Sequence, residues 1–319
     1  VRESGSRMRV AVELSDARNH QVLWSQRFDR DGQNIFDIQD QIVGNIVGTL
    51  AVRVSHQEQQ RATAVVPGSL QAYDLVLQAR PLVASFDRAA NREARKLLAQ
   101  AQALAPDYAE VDVVWAAAEY NRANFGWTED PAENLRRAEQ RARRALTLAD
   151  AGAHARAHGQ LGLIHSMRGE FDRALIEAAR AIEINPSDAV AFDAQGTTLV
   201  WMGRFEAAIV SLDTAFRFNP AGRSAGSGFS LSLAHHALGQ YAQALAAADA
   251  TIARYPQASF VHAMRAATLL EMGNLDAARS AAAQVRRLDP FFTSDEFGNR
   301  FVNPQHQAKL LESLRAAGL

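Results

Sequence analysis

Asp150, His154 and His158 stand four residues apart. On one unbroken helix they would share a face and could hold a metal ion. Gly152 argues for a helix boundary inside that set, and no glutamate completes an HExxH pattern, so capping and packing are the favoured roles. His235 and His236 are neighbours in sequence, and neighbours on a helix point to different faces. Gly222, Gly226 and Gly228 with Arg223 and Ser224 have the composition of a phosphate-cradling loop. No strand pattern precedes them and no Gly-Lys-Ser/Thr follows, which leaves a loosened turn. Arg136, Arg137, Arg141, Arg143 and Arg144 are interleaved with Glu133 and Glu139, the pattern of a solvated helix face carrying ion pairs. Neither a Ser/His/Asp set nor paired carboxylates stand out. The expectation is no catalytic residue, no metal and no cofactor.

Composition narrows the classes further. Of 319 residues 48% are hydrophobic and 22% charged, the balance of a folded chain with a sizeable core. Thirty-five acidic residues nearly cancel 34 basic ones, giving a net charge of -1. No overall field therefore draws the chain to nucleic acid or anionic lipid. The absence of cysteine excludes disulfides and thiolate chemistry and leaves the compartment open. No apolar run approaches the roughly 18 residues of a membrane span. The chain begins with Val1 rather than Met and reaches a strand pattern within a few residues, which reads as a piece of a longer protein.

The elements that would position any site emerge from an internal repeat. Pro186, Pro220, Pro256 and Pro290 fall 34, 36 and 34 residues apart, close to a 34-residue helical-hairpin period. Each closes a helix with small or β-branched residues seven apart: Ala174 with Ala181, Ala208 with Ala215, Ala244 with Thr251, and Ala278 with Val285. Gly169, Gly203, Gly239 and Gly273 recur at one phase between the two helices, where a left-handed residue ends the first helix. Pro106, with Ala94 and Ala101, closes an earlier unit. Ala138 and Ala145 mark another, whose inter-helix loop stretches from Phe125 to Pro131. Six repeats result, at about 70–106, 107–150, 154–186, 187–220, 221–256 and 257–290. Phe291 to Asn303 reads as a loop, and Gln307 to Ala316 as a helix capping the open end before Gly318.

The first sixty residues differ. Met8, Val10, Val12 and Leu14 alternate with polar residues, Asp16 to Asn19 supply a turn, and Val22, Trp24 and Phe28 follow, so the pattern predicts a β-hairpin. Asn34 and Asp37 resemble a capping box, and Ile35, Ile38, Ile42, Ile46 and Leu50 recur at helical spacing. A helix is predicted from Ile35 to about Gln59, broken by Val65-Val66-Pro67-Gly68, with a domain boundary at residue 66.

Leu161-Gly162, Ala174, Ala178, Ala181 and Pro186 resemble the tetratricopeptide signature, and the resemblance covers roughly residues 70 to 290. Leu23 to Val47 looks like the end of the TolB-like domain that precedes such repeats in bacterial signalling proteins. Parents of that layout include class III adenylate or guanylate cyclases and winged-helix transcriptional regulators, whose effector domains would lie upstream of Val1. The fold class implied is mainly α, a right-handed superhelical solenoid preceded by the hairpin-and-helix remnant of an α/β domain.

In such an array the first helices line an inner curve. Phasing by the prolines points Tyr120, Asn121, Arg156, Asp193, Thr197, Trp201, Phe229, His236 and Glu271 toward it, a mixture of aromatic and polar side chains suited to a peptide or protein segment. Trp201 and Phe229 could equally pack between repeats. The leading expectation is a regulatory protein-binding module, cytoplasmic unless an upstream span delivers it to the periplasm. The hairpin's open edge offers a route to a homodimer. The alternatives are a segment of a cyclase and an RNA-reading helical repeat.

Overall fold

A computed structural model describes residues 2–4, 7–15, 22–31, 70–148, 150–220, 224–295, 297 and 299–319. The turn at Asp16 to Asn19, the helix expected over Ile35 to Gln59 and its break at Pro67-Gly68 lie outside these residues, as do Gly222 and Arg223. Two compact units divide the chain, Val1–Leu70 and Gln71–Leu319. In the first, β1 (Arg2–Ser4), β2 (Arg7–Ser15) and β3 (Val22–Asp31) form an antiparallel sheet in that order. Val10 stands opposite Phe28 and Leu14 opposite Trp24, with an irregularity between Leu14 and Ser15.

The second unit contains six helical hairpins: α1 (Leu70–Ala84) with α2 (Arg88–Leu104), α3 (Ala109–Asn124) with α4 (Pro131–Thr147), and α5 (Ala151–Met167) with α6 (Phe171–Ile184). The others are α7 (Ala189–Trp201) with α8 (Phe205–Phe218), α9 (Ala225–Ala237) with α10 (Tyr241–Arg254), and α11 (Ser259–Glu271) with α12 (Leu275–Leu288). A last helix, α13 (Pro304–Ala316), follows.

Local chemistry sets the boundaries. Asp87, Asp130, Asp150, Asp188 and Asn274 each accept a backbone N–H of the helix they open, satisfying one of its unpaired donors. At the turn after α5, Gly169 takes φ 76° and Glu170 N donates to His165 O, the six-to-one bond of a left-handed C-terminus. Gly203, Gly239 and Gly273 repeat that geometry. After each second helix of the later repeats the capping N–H reaches back four residues, as Asn185 N does to Ala181 O, and proline follows.

Small residues then govern packing. Ala174, Ala178 and Ala181 on α6 are fully buried. A methyl at Gly162 would stand 3.1 Å from the Ala194 Cβ and 3.2 Å from the Ala174 carbonyl, so α5 seats closely against its neighbours. Gly226 and Gly228 are not part of a loosened turn: Ser224 accepts from Ser227 N and starts α9 before them. At Gly228 a methyl would meet Thr251 Oγ1 at 2.1 Å, so the residue is needed where α9 crosses α10.

The C-terminal segment departs from a simple loop. Val302 N donates to Trp201 O at 2.9 Å, and the Phe301 ring lies 5.2 Å from that of Trp201 and 6.3 Å from that of Phe205. Burial of Phe301 draws the segment back onto the fourth hairpin before α13 begins. That helix starts three residues ahead of Gln307, because Asn303 caps it through Gln305 N and Pro304 is preset for a first turn.

Candidate ligand-binding cavity

The first helices of all six hairpins, α1, α3, α5, α7, α9 and α11, contribute to one cavity of about 510 Å³. Phe125 and Phe260, which line it, belong to an aromatic seam joining residues far apart in sequence. Phe86, after α1, and Phe125, after α3, lie 5.8 and 6.1 Å from Phe260 on α11. Phe260 in turn meets Phe229 edge-on at 5.5 Å, and Tyr255 Oη donates to Ala84 O at 3.5 Å. The first two hairpins therefore touch the sixth across the inner face.

Of the residues that proline phasing points inward, Tyr120, Asn121, Arg156, Asp193, Thr197, Trp201 and Phe229 line this cavity. At one end Arg156 pairs with Glu110, which also holds Arg80 at 2.5 Å. Asn121 Nδ2 donates to Val83 O at 2.8 Å, tying α3 to α1. In the middle, Asp193 accepts from Thr197 Oγ1 at 3.4 Å and from the Ser227 hydroxyl, while Thr197 also faces Ser230 Oγ at 3.4 Å. Burial raises the Asp193 carboxyl to about 6 despite those hydroxyl donors. Burial also pushes the Tyr120 phenol up to about 12; Arg300 opposes the shift and Asp193 reinforces it.

Trp201 and Phe229 serve both readings. They are 3% and 8% exposed and belong to the hydrophobic core, yet one edge of each reaches the cavity.

His236 and Glu271 do not line it. Both occupy last turns of first helices, where a neighbouring element already covers them. His236 is buried with Nδ1 3.1 Å from Thr268 Oγ1 on α11, and burial lowers its pKa to about 4. Glu271 accepts from Ser313 of α13 at 2.5 Å and from Tyr241 at 3.3 Å. These contacts are structural.

The other chemical candidates are also engaged in packing. Asp150 caps α5, His154 Nε2 lies 2.6 Å from Leu148 O, and His158 Nδ1 lies 2.6 Å from Glu177. Arg136 and Arg137 pair with Glu133, Arg143 with Glu139, and Arg141 and Arg144 with the fully buried Asp112.

Sequence phasing misses the cavity residues contributed by the C-terminal segment, Phe297, Asn299 and Arg300. Four phenylalanines between positions 291 and 303 are the signal for them, since so apolar a connection must cover something. Arg300 stacks 4.5 Å above the Trp201 ring, within cation–π range. Burial lowers its pKa, against a smaller upward effect of Tyr120.

No protein-family profile matches the chain. Over 174 residues, 54% of its length, it is 27% identical to a protein of Rhizobium meliloti (strain 1021) named "Putative adenylate cyclase 3"; the match spans only 29% of that relative. Among solved structures, the Cut9-Hcn1 hetero-tetramer of APC/C aligns with TM-score 0.54 and 16% identity over 78% of this chain and 47% of that one. The Pseudomonas aeruginosa protein pilF aligns with TM-score 0.47 and 16% identity over 71% and 96%. A thermophilic TPR protein of Thermus thermophilus gives 0.42 and 21% over 60% and 99%. The repeat phase, the hairpin geometry and the likeness to Cut9-Hcn1 together make the second unit a helical solenoid of the tetratricopeptide type.

Proposed function

We propose that this chain is the protein-interaction and regulatory part of a bacterial signal-transduction protein, holding a peptide or protein segment against the inner face of its helical hairpins. The observation that carries the reading is convergence: side chains of opposite charge, hydroxyls and aromatic edges from six successive first helices meet around one cavity. Such a mixture suits an extended partner, with aromatic anchors for its apolar groups and polar groups to fix its register. Chemistry is assigned to the parent protein rather than to this segment. The stretch of likeness to a protein named as an adenylate cyclase supports a cyclase as that parent, with a winged-helix regulator as the alternative and the N-terminal unit as the end of a TolB-like domain. A homodimer through the N-terminal hairpin belongs to the same reading.

Affinity capture with the full chain as bait tests it. Asp193→Asn, Thr197→Val and Ser230→Ala together keep side-chain volume nearly constant while removing the charge and hydroxyls at the cavity's centre. Capture of the wild-type partners is expected to fall at least tenfold while circular dichroism shows the variant still helical. Undiminished capture would refute the assignment of this face.

A further inference from the structure

One charge in the cavity is unbalanced. Arg80 and Arg156 share Glu110, but among the described residues no carboxylate lies within ion-pair distance of Arg300, whose guanidinium stacks on the Trp201 ring. Tyr120, which senses that charge, keeps its proton with a pKa near 12 and supplies no counter-ion at neutral pH. A second deficit lies beside the first. Trp201 is 3% exposed, lines the cavity, and its indole Nε1 is a buried donor with no hydrogen-bond partner among the described residues. A buried donor without an acceptor is costly, as is an enclosed cation without an anion. Arg300 and Trp201 are stacked on each other, so a single acceptor-rich group could answer both.

The rest of the cavity fixes the body that would carry this group. Phe229, Phe260 and Phe297 wall it, with Phe229 and Phe297 edge-on at 5.5 Å. Phe125, of the aromatic seam with Phe86 and Phe260, also lines it. A volume of about 510 Å³ falls in the range of small-molecule sites.

We propose that the cavity binds a small organic anion with a planar apolar body, its acidic group meeting the Arg300 guanidinium and the Trp201 indole N–H and its body lying among the phenylalanines. This goes beyond the protein-binding reading and shares with it only the premise that the cavity is a ligand site. The bound anion would act as an effector, filling the space a partner's side chain would otherwise enter.

Isothermal titration of the full chain with 2-naphthoate, and with 2-naphthamide as its neutral counterpart, tests the proposal. Saturable one-to-one binding of 2-naphthoate is expected, with the amide at least tenfold weaker, as befits loss of a charge-assisted pair. Arg300→Gln should abolish that preference, whereas Arg300→Lys should keep part of it. Asn299→Asp provides a variant outside the stack: Asn299 is exposed yet lines the cavity, and an added carboxylate there should weaken 2-naphthoate several-fold and leave the amide unaffected. Equal binding of acid and amide, or an Arg300→Gln variant that folds and keeps full preference, overturns the proposal. A peptide acid bound in preference to its amide, with 2-naphthoate ignored, overturns it as well. If these titrations fail while the triple variant at Asp193, Thr197 and Ser230 still loses its protein partners, the protein-binding reading stands alone; if both fail, the cavity is not a binding site.

Discussion

Two glycines on one helix should respond in opposite directions to the same substitution. Gly226 and Gly228 both lie inside α9, where alanine is intrinsically better than glycine by about 0.8–1 kcal/mol. At Gly226 an added methyl meets nothing closer than Asn124 Nδ2 and Ser224 Oγ, both at 3.7 Å, so Gly226→Ala should realise most of that gain. At Gly228 the methyl would sit 2.1, 2.8 and 3.0 Å from Oγ1, Cγ2 and Cβ of Thr251. Thr251 is 1% exposed and its hydroxyl is committed to Ala247 O at 2.7 Å, so no rotamer change relieves all three contacts and the helices must part. Overpacking of this kind costs about 1–3 kcal/mol. With the methyl so close the upper end applies, leaving a net loss of about 2 kcal/mol after the helical gain. For a unit of this size that corresponds to roughly 4–8 °C in melting temperature. Thermal melts by circular dichroism of the two single variants and of Gly228→Ala/Thr251→Ser should show the first more stable, the second less stable, and the double variant only partly rescued, since Cβ and Oγ1 remain. Thr251→Ala leaves only the 3.0 Å contact to Cβ and should restore most of the loss, apart from the cavity term. Equal effects at positions 226 and 228 would mean that the crossing of α9 and α10 is not as close as described.

Three further outcomes follow from the same geometry. Asp193 is raised from 3.8 to about 6, so it favours the folded state at acid pH and that contribution is lost as pH rises through 6; His236 is lowered from 6.5 to about 4, so its contribution is present above 6.5 and lost as pH falls toward 4. Each amounts to about 3 kcal/mol with opposite sign; urea melts between pH 4 and 7 should therefore find Asp193→Asn losing stability on acidification faster than wild type and His236→Gln more slowly, and parallel curves would contradict both burials. Asp112→Asn leaves Arg141 and Arg144 without their shared carboxylate and should cost about 1–3 kcal/mol, less than a fully enclosed pair because both guanidiniums keep some water; a neutral effect in denaturant melts would show the pairs to be incidental. Phe260→Ala removes the sixth hairpin's side of the aromatic seam, so hydrogen exchange should accelerate around residues 84–86 and 125–127, more than 130 positions away in sequence, whereas Phe192→Ala should leave those segments unchanged.

The limits of sequence reading in this chain follow from what is periodic. Helix ends are written locally: a side-chain oxygen before the first turn, a glycine with positive φ after the first helix, a proline after the second. All three can be read without knowing what each helix touches, and the glycines and prolines of the last four repeats also recur every 34 to 36 residues. The inner face follows from the same phase, which is why Tyr120, Asn121, Arg156, Asp193, Thr197, Trp201 and Phe229 come to one cavity. Phase assumes that every first helix is covered in the same way along its length, and the assumption fails where the array departs from repetition. The last turn of α9 lies under α11 and that of α11 meets α13, so His236 and Glu271 bond to Thr268 and Ser313 instead of facing the cavity. Arg300 is invisible to phasing altogether, because it lies in a connection whose path is decided by where Phe301 can be buried, and that place is Trp201 and Phe205, about 100 residues earlier. The seam of Phe86, Phe125 and Phe260 depends on the accumulated turn of six hairpins, to which each crossing adds a small rotation. No window of sequence contains that sum, so the contacts that close the inner face become legible only once the helices are stacked.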